Sequence, residues 1–334
     1  MESTGAQQVF FNHIKGLIPP NLSFVDEIAD VLNISNDSAY RRIRGEKPIA
    51  LEEIKKLCVK FKISLDQLLH LNSESFVFSG KCADPKNFNF EAYLQDFLRQ
   101  HEIINSFEQK ELLILPKDVP VYHYYNFPEL AAFKYFFWMK TILRYPDYNK
   151  VRFNGSLMTQ SLIQTGEKIL LAYNKIPSTE IWNVENINTT LRQIEYYRES
   201  NVFESEADIQ KIYECLESAI DFVELQAEAG YKINKAGKGP HEGAPFNLYI
   251  NDFILGDNTY LPILNGTKVV FLTHAHLNYM STRDVEFAAY TYEHFQNILH
   301  KSTHISVVGE KERRRFFNRI RQNIIAKKNV SLHS

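Results

Sequence analysis

Within the first 45 residues, two short apolar stripes run at helical spacing, a three-residue gap separates them, and the second stops at a glycine. Val25, Ile28, Ala29 and Leu32 stand at i, i+3, i+4 and i+7, the buried stripe of a short helix. Ser23 precedes the stripe as an N-cap, with Asp26 three residues on. Asn33-Ile34-Ser35 leaves room only for a tight turn, and a further helix runs from about Asn36 to Arg44 before Gly45 and Pro48 end it. Such punctuation excludes both strands and long helices here. The flanks extend it: Val9, Phe10, His13, Ile14 and Leu17 form a helix closed by Pro19-Pro20, Leu51, Ile54, Leu57, Cys58 and Phe61 mark another, and Ser64 opens a last one through Leu68-Leu69. An all-α domain of five helices is expected over residues 1–72.

Residues 73–89 mix Ser, Gly, Pro and Asn and read as a linker. The chain has 334 residues, 44% apolar and 23% charged, which suits about two globular domains and excludes a disordered or fibrous chain. The second domain, 90–334, reads as mainly helical α+β with a small antiparallel sheet. Its expected elements are a helix over Phe90–Glu111, an extended run over Leu112–Tyr125, and a helix opened by Pro128-Glu129 with aromatics on every side. Polar helices follow to about Tyr231. Phe246–Leu255, Thr259–Leu264 and Thr267–Thr273 alternate like strands, joined by Gly256-Asp257-Asn258 and Asn265-Gly266 as hairpin turns. Helices over Arg283–Lys301 and Glu310–Lys328 close the chain.

With 38 basic against 40 acidic residues, the chain as a whole has no cationic coat, so any nucleic-acid site must be a local patch. The third helix supplies one. Successive helical residues rotate by about 100°. If Ala39 and Ile43 face the core, Arg41 points directly away, Asp37, Ser38 and Arg44 lie outward, and Tyr40 and Arg42 sit on the flanks. Arg41, Arg42, Arg44 and Lys47 then make a cationic edge suited to guanine edges and phosphates, and Asn36 and Ser38 can bond a base or a phosphate. Two helices joined by a turn of this length form a helix-turn-helix, whose second helix enters the DNA major groove.

The segment resembles the DNA-binding domain of the Cro/lambda-repressor (XRE-like) family over residues 5–72. The marks are Glu27-Ile28-Ala29, Leu32, Ile34-Ser35, the Gly45 stop, Leu51, Ile54 and Leu57, and Ser64 to Leu69. One departure is that Arg42 stands where the family has an aliphatic residue and Ile43 where it has Glu, which moves the core contact to Ile43. The resemblance implies a sequence-specific DNA-binding transcription regulator acting as a homodimer on double-stranded DNA, with a lambda-repressor-like five-helix domain. The remainder resembles, in a general way, the effector portions of bacterial regulators, which implies sensing of an unknown small-molecule effector or dimerisation and transfers no ligand.

Other features are read more plainly. Thr273-His274-Ala275-His276-Leu277-Asn278-Tyr279 is similar to a degraded metallo-β-lactamase zinc motif, with Asn278 and Tyr279 where an Asp and a His belong. No metal, no cofactor and no catalysis are therefore expected; an enzyme built on the His274/His276 region, or an interaction scaffold, stands as the alternative. The aromatics from Tyr122 to Tyr148 suit a core, a dimer face or an effector pocket with tyrosine hydroxyls as polar handles. Residues 310–334 carry eight basic side chains against two acidic ones beside an apolar stripe of Phe316, Phe317, Ile320 and Ile324, the pattern of a docked helix or an auxiliary phosphate contact. Cys58, Cys82 and Cys215 are too few and too scattered for a disulfide framework, no leader or membrane-spanning run is visible, and a cytoplasmic protein without membrane partners is expected.

Overall fold

The computed structural model describes residues 5–18, 22–61, 63–69, 76–80, 88–234, 243–253, 256–274 and 277–329. Pro19-Pro20, Cys82, His276 and much of the expected linker lie outside these described residues. The chain divides into two compact units, Met1–Val77 and Phe78–Ser334.

Unit 1 contains α1 (Ala6–Leu17), α2 (Phe24–Leu32), α3 (Asn36–Ile43), α4 (Leu51–Phe61) and α5 (Leu65–Leu69). Its core is Phe10, Phe11 and Ile14 of α1, Ile28, Ala29 and Leu32 of α2, Ala39 of α3 and Leu57 of α4. On α1 the buried face is shifted by one position from the expected stripe: Phe11 is inside and His13 is exposed. Asn33 ends α2 in the left-handed region at φ 57°, which lets Ile34 N–H reach back to the Ala29 carbonyl.

Unit 2 corrects the expectation of a small antiparallel sheet. Among the described residues nine strands form one mixed sheet: β1 (Ser79–Gly80), β2 (Lys110–Leu115), β3 (Ser178–Trp182), β4 (Phe246–Ile250), β5 (Thr259–Leu264), β6 (Thr267–Lys268), β7 (Val270–His274), β8 (Asn278–Thr282) and β9 (Thr303–His304). The order is β1-β8-β7-β5-β2-β3-β4-β9, with β6 paired to β5; β2–β3 and β3–β4 are parallel and the other pairs antiparallel. The helices are α6 (Phe90–Asn105), α7 (Pro128–Phe137), α8 (Gln160–Tyr173), α9 (Asn188–Glu199), α10 (Glu206–Ala229), α11 (Val285–His300) and α12 (Glu310–Lys328).

Several local expectations fail for identifiable reasons. The helix from Phe90 stops at Asn105, capped by Ser106, and Lys110–Leu115 is strand. β3 reads Ser-Thr-Glu-Ile-Trp, polar enough to pass for helix surface, yet all five residues are buried. β4 and β5 are not a hairpin: β4 pairs with β3 and β9, and β5 with β2. Gly256 instead carries the chain hard against β2, where a Cβ would sit 2.0 Å from the Pro116 carbonyl oxygen. Asn265-Gly266, at φ 46° and 83°, does form a two-residue hairpin turn, between β5 and β6. Ser79–Gly80, inside the stretch read as linker, are an edge strand on β8.

The strand alternation sorts the core into layers. Leu112 and Ile114 of β2 face the layer of α6, α7 and α8, whereas Leu113, Leu115, Ile181, Leu261 and Val270 face α11 through Ala288, Phe295 and Ile298. Every residue of α7 from Leu130 to Phe137 is buried. α12 docks by Phe316, Phe317, Ile320 and Ile324.

Two buried titratable groups in this unit have specific partners. Glu180, on β3, has no accessible surface; it accepts hydrogen bonds from Tyr173 Oη at 2.5 Å and Trp182 Nε1 at 2.7 Å, and lies 3.2 Å from His123 Nε2. Burial pushes its carboxyl up, but His123, Tyr173 and Trp182 more than offset this and hold it below the ordinary range. His101 on α6 is 3% exposed. Its Nδ1 lies 2.8 Å from the Phe97 carbonyl, which can only accept, so Nδ1 carries the proton and Nε2 accepts from Tyr122 Oη at 3.0 Å. Burial lowers its pKa to about 4.

A neutral His101 binds fewer protons in the folded than in the unfolded chain. Its contribution is therefore fully present above pH 6.5 and is lost as pH falls from about 6.5 to about 4, amounting to about 3 kcal/mol at the lower end. Denaturant unfolding at stepped pH should show this slope. The variant His101→Gln should be less stable at neutral pH and should flatten the slope; an unchanged profile would refute the assignment.

Candidate nucleic-acid interface

The turn between α2 and α3 is held by its own side chains. Ser23 Oγ accepts from Asp26 N at the start of α2, and Ser35 Oγ accepts from Ser38 N at the start of α3. Asn36 Nδ2 donates to Asp26 Oδ1 at 2.7 Å, tying the first turn of α3 to the first turn of α2. At the other end Gly45, at φ 80°, turns the chain so that Glu46 N and Lys47 N both donate to the Arg41 carbonyl at 2.9 and 3.1 Å.

One side chain on α1 locks the loop after α3. Gln7 Nε2 donates to the carbonyls of Arg42 and Lys47 at 2.7 and 2.8 Å, and Gln7 Oε1 accepts from Ile49 N at 3.1 Å. The apolar pattern of α1 contains no hint of this: one of two adjacent glutamines, Gln7 and Gln8, reads as surface.

Arg42 is not part of the exposed edge. Its side chain is 8% exposed and makes a two-pronged pair with Glu53 of α4: Nε to Oε2 at 2.9 Å and Nη2 to Oε1 at 2.7 Å. Arg42 Nη1 also donates to the Ser38 carbonyl at 3.0 Å, and Glu53 Oε2 accepts from Ala50 N, capping α4. The Arg42 hydrogen bond is the chief cause that holds the Glu53 carboxyl below its ordinary range. Ala39 is fully buried, and the positions three and four residues on, Arg42 and Ile43, flank it on either side. The cation takes the inner flank because Glu53 meets it there.

The other sequence-predicted residues divide by exposure. Tyr40, Arg41, Arg44 and Lys47 are exposed, as are Asn36 and Asp37; Ser38 is half-buried. Arg44 lies over the Tyr40 ring at 5.3 Å and pairs with Glu46 at 3.4 Å, both partners being largely exposed. Arg41 and Lys47 are in no ion pair among the described residues. The structure thus brings Tyr40, Arg41, Arg44 and Lys47 together at the C-terminal end of α3, and Asn36 and Ser38 at its N-terminal end.

The other candidates look different in place. On α12, Arg321 pairs with Asp221 and Glu224, Lys328 with Glu217, Lys327 with Glu195 and Arg319 with Asp252. Arg313 is buried on the carbonyls of Ile305 and Val308. Most of this helix's charge is thereby compensated within unit 2. His274 ends β7, exposed, opposite Asn278 in the strand register. Among the described residues no group of three or more His, Cys, Asp or Glu could hold a metal ion, and no helix is long and apolar enough to cross a membrane.

A capped pair of short helices carrying an exposed cationic end defines a helix-turn-helix unit in geometry. Residues 20–85 match the BetR domain. This overturns the resemblance to the Cro/lambda-repressor family, because BetR is a distinct family. The match ties this segment to a regulatory, DNA-binding-related role and to nothing finer. No curated protein and no solved structure matches the chain.

Arg42→Ala should destabilise unit 1 by about 2–4 kcal/mol, because it leaves a half-buried carboxylate without its partner. The pair Arg42→Met with Glu53→Leu should recover most of the loss. Amide hydrogen exchange in α3 and α4 of the full chain reads both. Protection unaltered in Arg42→Ala would mean the pair is a surface contact only.

Proposed function

We propose that the chain is a DNA-binding transcription regulator in which α3 of unit 1 reads double-stranded DNA. Unit 2 senses an effector or joins two copies of the chain. The carrying observation is the exposed cluster of Arg41, Arg44 and Lys47 at the end of a capped α3, with Arg41 and Lys47 uncompensated by any ion pair among the described residues. Arg41 is the reader of a base edge, and Arg44 and Lys47 hold phosphates. Tyr40 supports Arg44 by its ring face, and Asn36 and Ser38 stand at the end of α3 where the amide dipoles favour a phosphate. Arg42 has an architectural part and positions α3 through Glu53. No catalytic step belongs to this reading.

A single unit of this size reads few base pairs, so two copies on half-sites about one helical turn apart are expected. Sedimentation of the protein on its selected duplex should give two chains per duplex.

Selection from a random duplex library with the full chain supplies the DNA. Affinity for the recovered duplex should fall steeply with salt, and removing one phosphate contact with Lys47→Ala should reduce the slope of log K against log salt by about 0.9. Arg41→Ala should cost about 1–3 kcal/mol and relax preference at one base position. If Arg41→Ala together with Lys47→Ala bound the duplex as tightly as the parent, α3 would not be the reading helix.

A further inference from the structure

Two faces of α9 are turned toward other parts of unit 2. Leu191, Ile194 and Tyr197 pack into the core. Thr189, Arg192, Gln193 and Tyr196, at i, i+3, i+4 and i+7, share the adjoining face, and with Phe137 at the end of α7 they line a cavity of about 240 Å³. The cavity is a cleft open to solvent: Phe137 is buried, Thr189 and Gln193 are half-buried, and Arg192 and Tyr196 are exposed.

Each polar side chain of this lining brings a hydrogen-bond donor, and none is a carboxylate. A buried lysine decides how Gln193 is turned. Lys134 is 2% exposed and donates to Gln193 Oε1 at 2.8 Å, to Asp118 Oδ2 at 2.8 Å and to Thr190 Oγ1 at 3.1 Å. The amide oxygen of Gln193 is therefore committed to the interior, and what the residue keeps for the cleft is Nε2, which can only donate. Arg192 and Thr189 make no ion pair and no side-chain hydrogen bond among the described residues, so the guanidinium fork is available. Two carboxylates of this part of the fold are already engaged, Asp118 by Lys134 and Glu195 by Lys327. The cleft thus presents one positive charge and a fixed amide donor, with no acidic side chain in its lining.

We propose that this cleft between α7 and α9 is a binding site for a small carboxylate with a flat apolar body. The Arg192 fork matches the two oxygens of a carboxylate, and Gln193 Nε2 and the Thr189 hydroxyl add further donors. The rings of Phe137 and Tyr196 supply the apolar part of the lining. Its volume lies below the roughly 300–1,000 Å³ of drug-sized sites, which limits the occupant to about a single ring. A ligand held by Gln193 is one side chain away from a buried network, because Lys134 ties Gln193 to Asp118 in the turn after β2, and Thr190 Oγ1 bonds both Asp118 and Tyr124. The inference rests on the sensing part of the proposed function, for which it names the effector class, and is independent of the DNA-binding part.

Saturation-transfer NMR titration of the full chain without DNA tests it, with benzoate as the probe, benzamide as its uncharged match and inorganic phosphate as an anion without an apolar body. Benzoate should bind saturably, and benzamide and phosphate at least tenfold more weakly. Arg192→Gln removes the fork from an exposed position and should weaken benzoate by about tenfold or more. Gln193→Glu keeps an oxygen for Lys134 but puts a carboxylate in the cleft, and should abolish saturable binding. Arg315→Gln, which removes an exposed arginine of α12, should leave the affinity unchanged. Far-ultraviolet circular dichroism checks that each variant folds, and the exposed Arg192→Gln carries the comparison if Gln193→Glu does not fold. The proposal is overturned by absence of saturable benzoate binding, by equal affinity for benzamide or phosphate, or by an Arg192→Gln protein that binds benzoate like the parent. Since no DNA is present, any of these outcomes leaves the α3 reading standing.

Discussion

A carboxylate without contact to water sits in the middle of the parallel strands, and much of unit 2 is arranged to accommodate it. Glu180 draws a hydrogen bond from Tyr173 at the end of α8 and another from Trp182 on its own strand, with His123 beside it from the turn after β2. Three separate stretches of chain are therefore committed to one atom pair. Tyr173 in turn carries Tyr122 on one side and Lys232 over its ring. A buried charge with one partner removed is costly, so these contacts stand or fall together.

Unit 1 solves a smaller problem by similar means. Its helices are too short to hold their relative positions by apolar contact alone, and two polar staples do part of that work. Gln7 fastens the loop after α3 to α1, and the Arg42–Glu53 pair fastens α3 to α4. The second staple also determines which cations remain outward. Of the Arg pair in the middle of α3, one faces inward as structure and the other is exposed.

Helix punctuation in unit 1 was legible because it is local: Ser23, Asn33, Ser35 and Gly45 act on their immediate neighbours. The same holds for Pro128, for the Asn265-Gly266 turn and for the apolar stripe of α12. What escaped the sequence was non-local. β3 is disguised because Ser178, Thr179 and Glu180 are polar residues whose hydrogen bonds are made inside, and nothing in their order announces burial. The pairing of β2 with β3 and of β3 with β4 joins segments separated by whole helices, so the strand count was underestimated. Arg42 misled for the same reason, since its partner Glu53 lies on the next helix. The cationic character of α3 and the outward direction of Arg41 and Arg44 can be read from its residues, but the burial of Arg42 cannot.

The sheet ends on each side in a strand of two residues, β1 at one edge and β9 at the other. So short an edge exposes few unpaired amide and carbonyl groups, and a neighbouring chain finds almost no ladder to extend. The broad sheet is thus protected against edge-to-edge growth despite its size. If copies of this chain associate through unit 2, helix faces and loops offer more surface for the contact than these two-residue edges do.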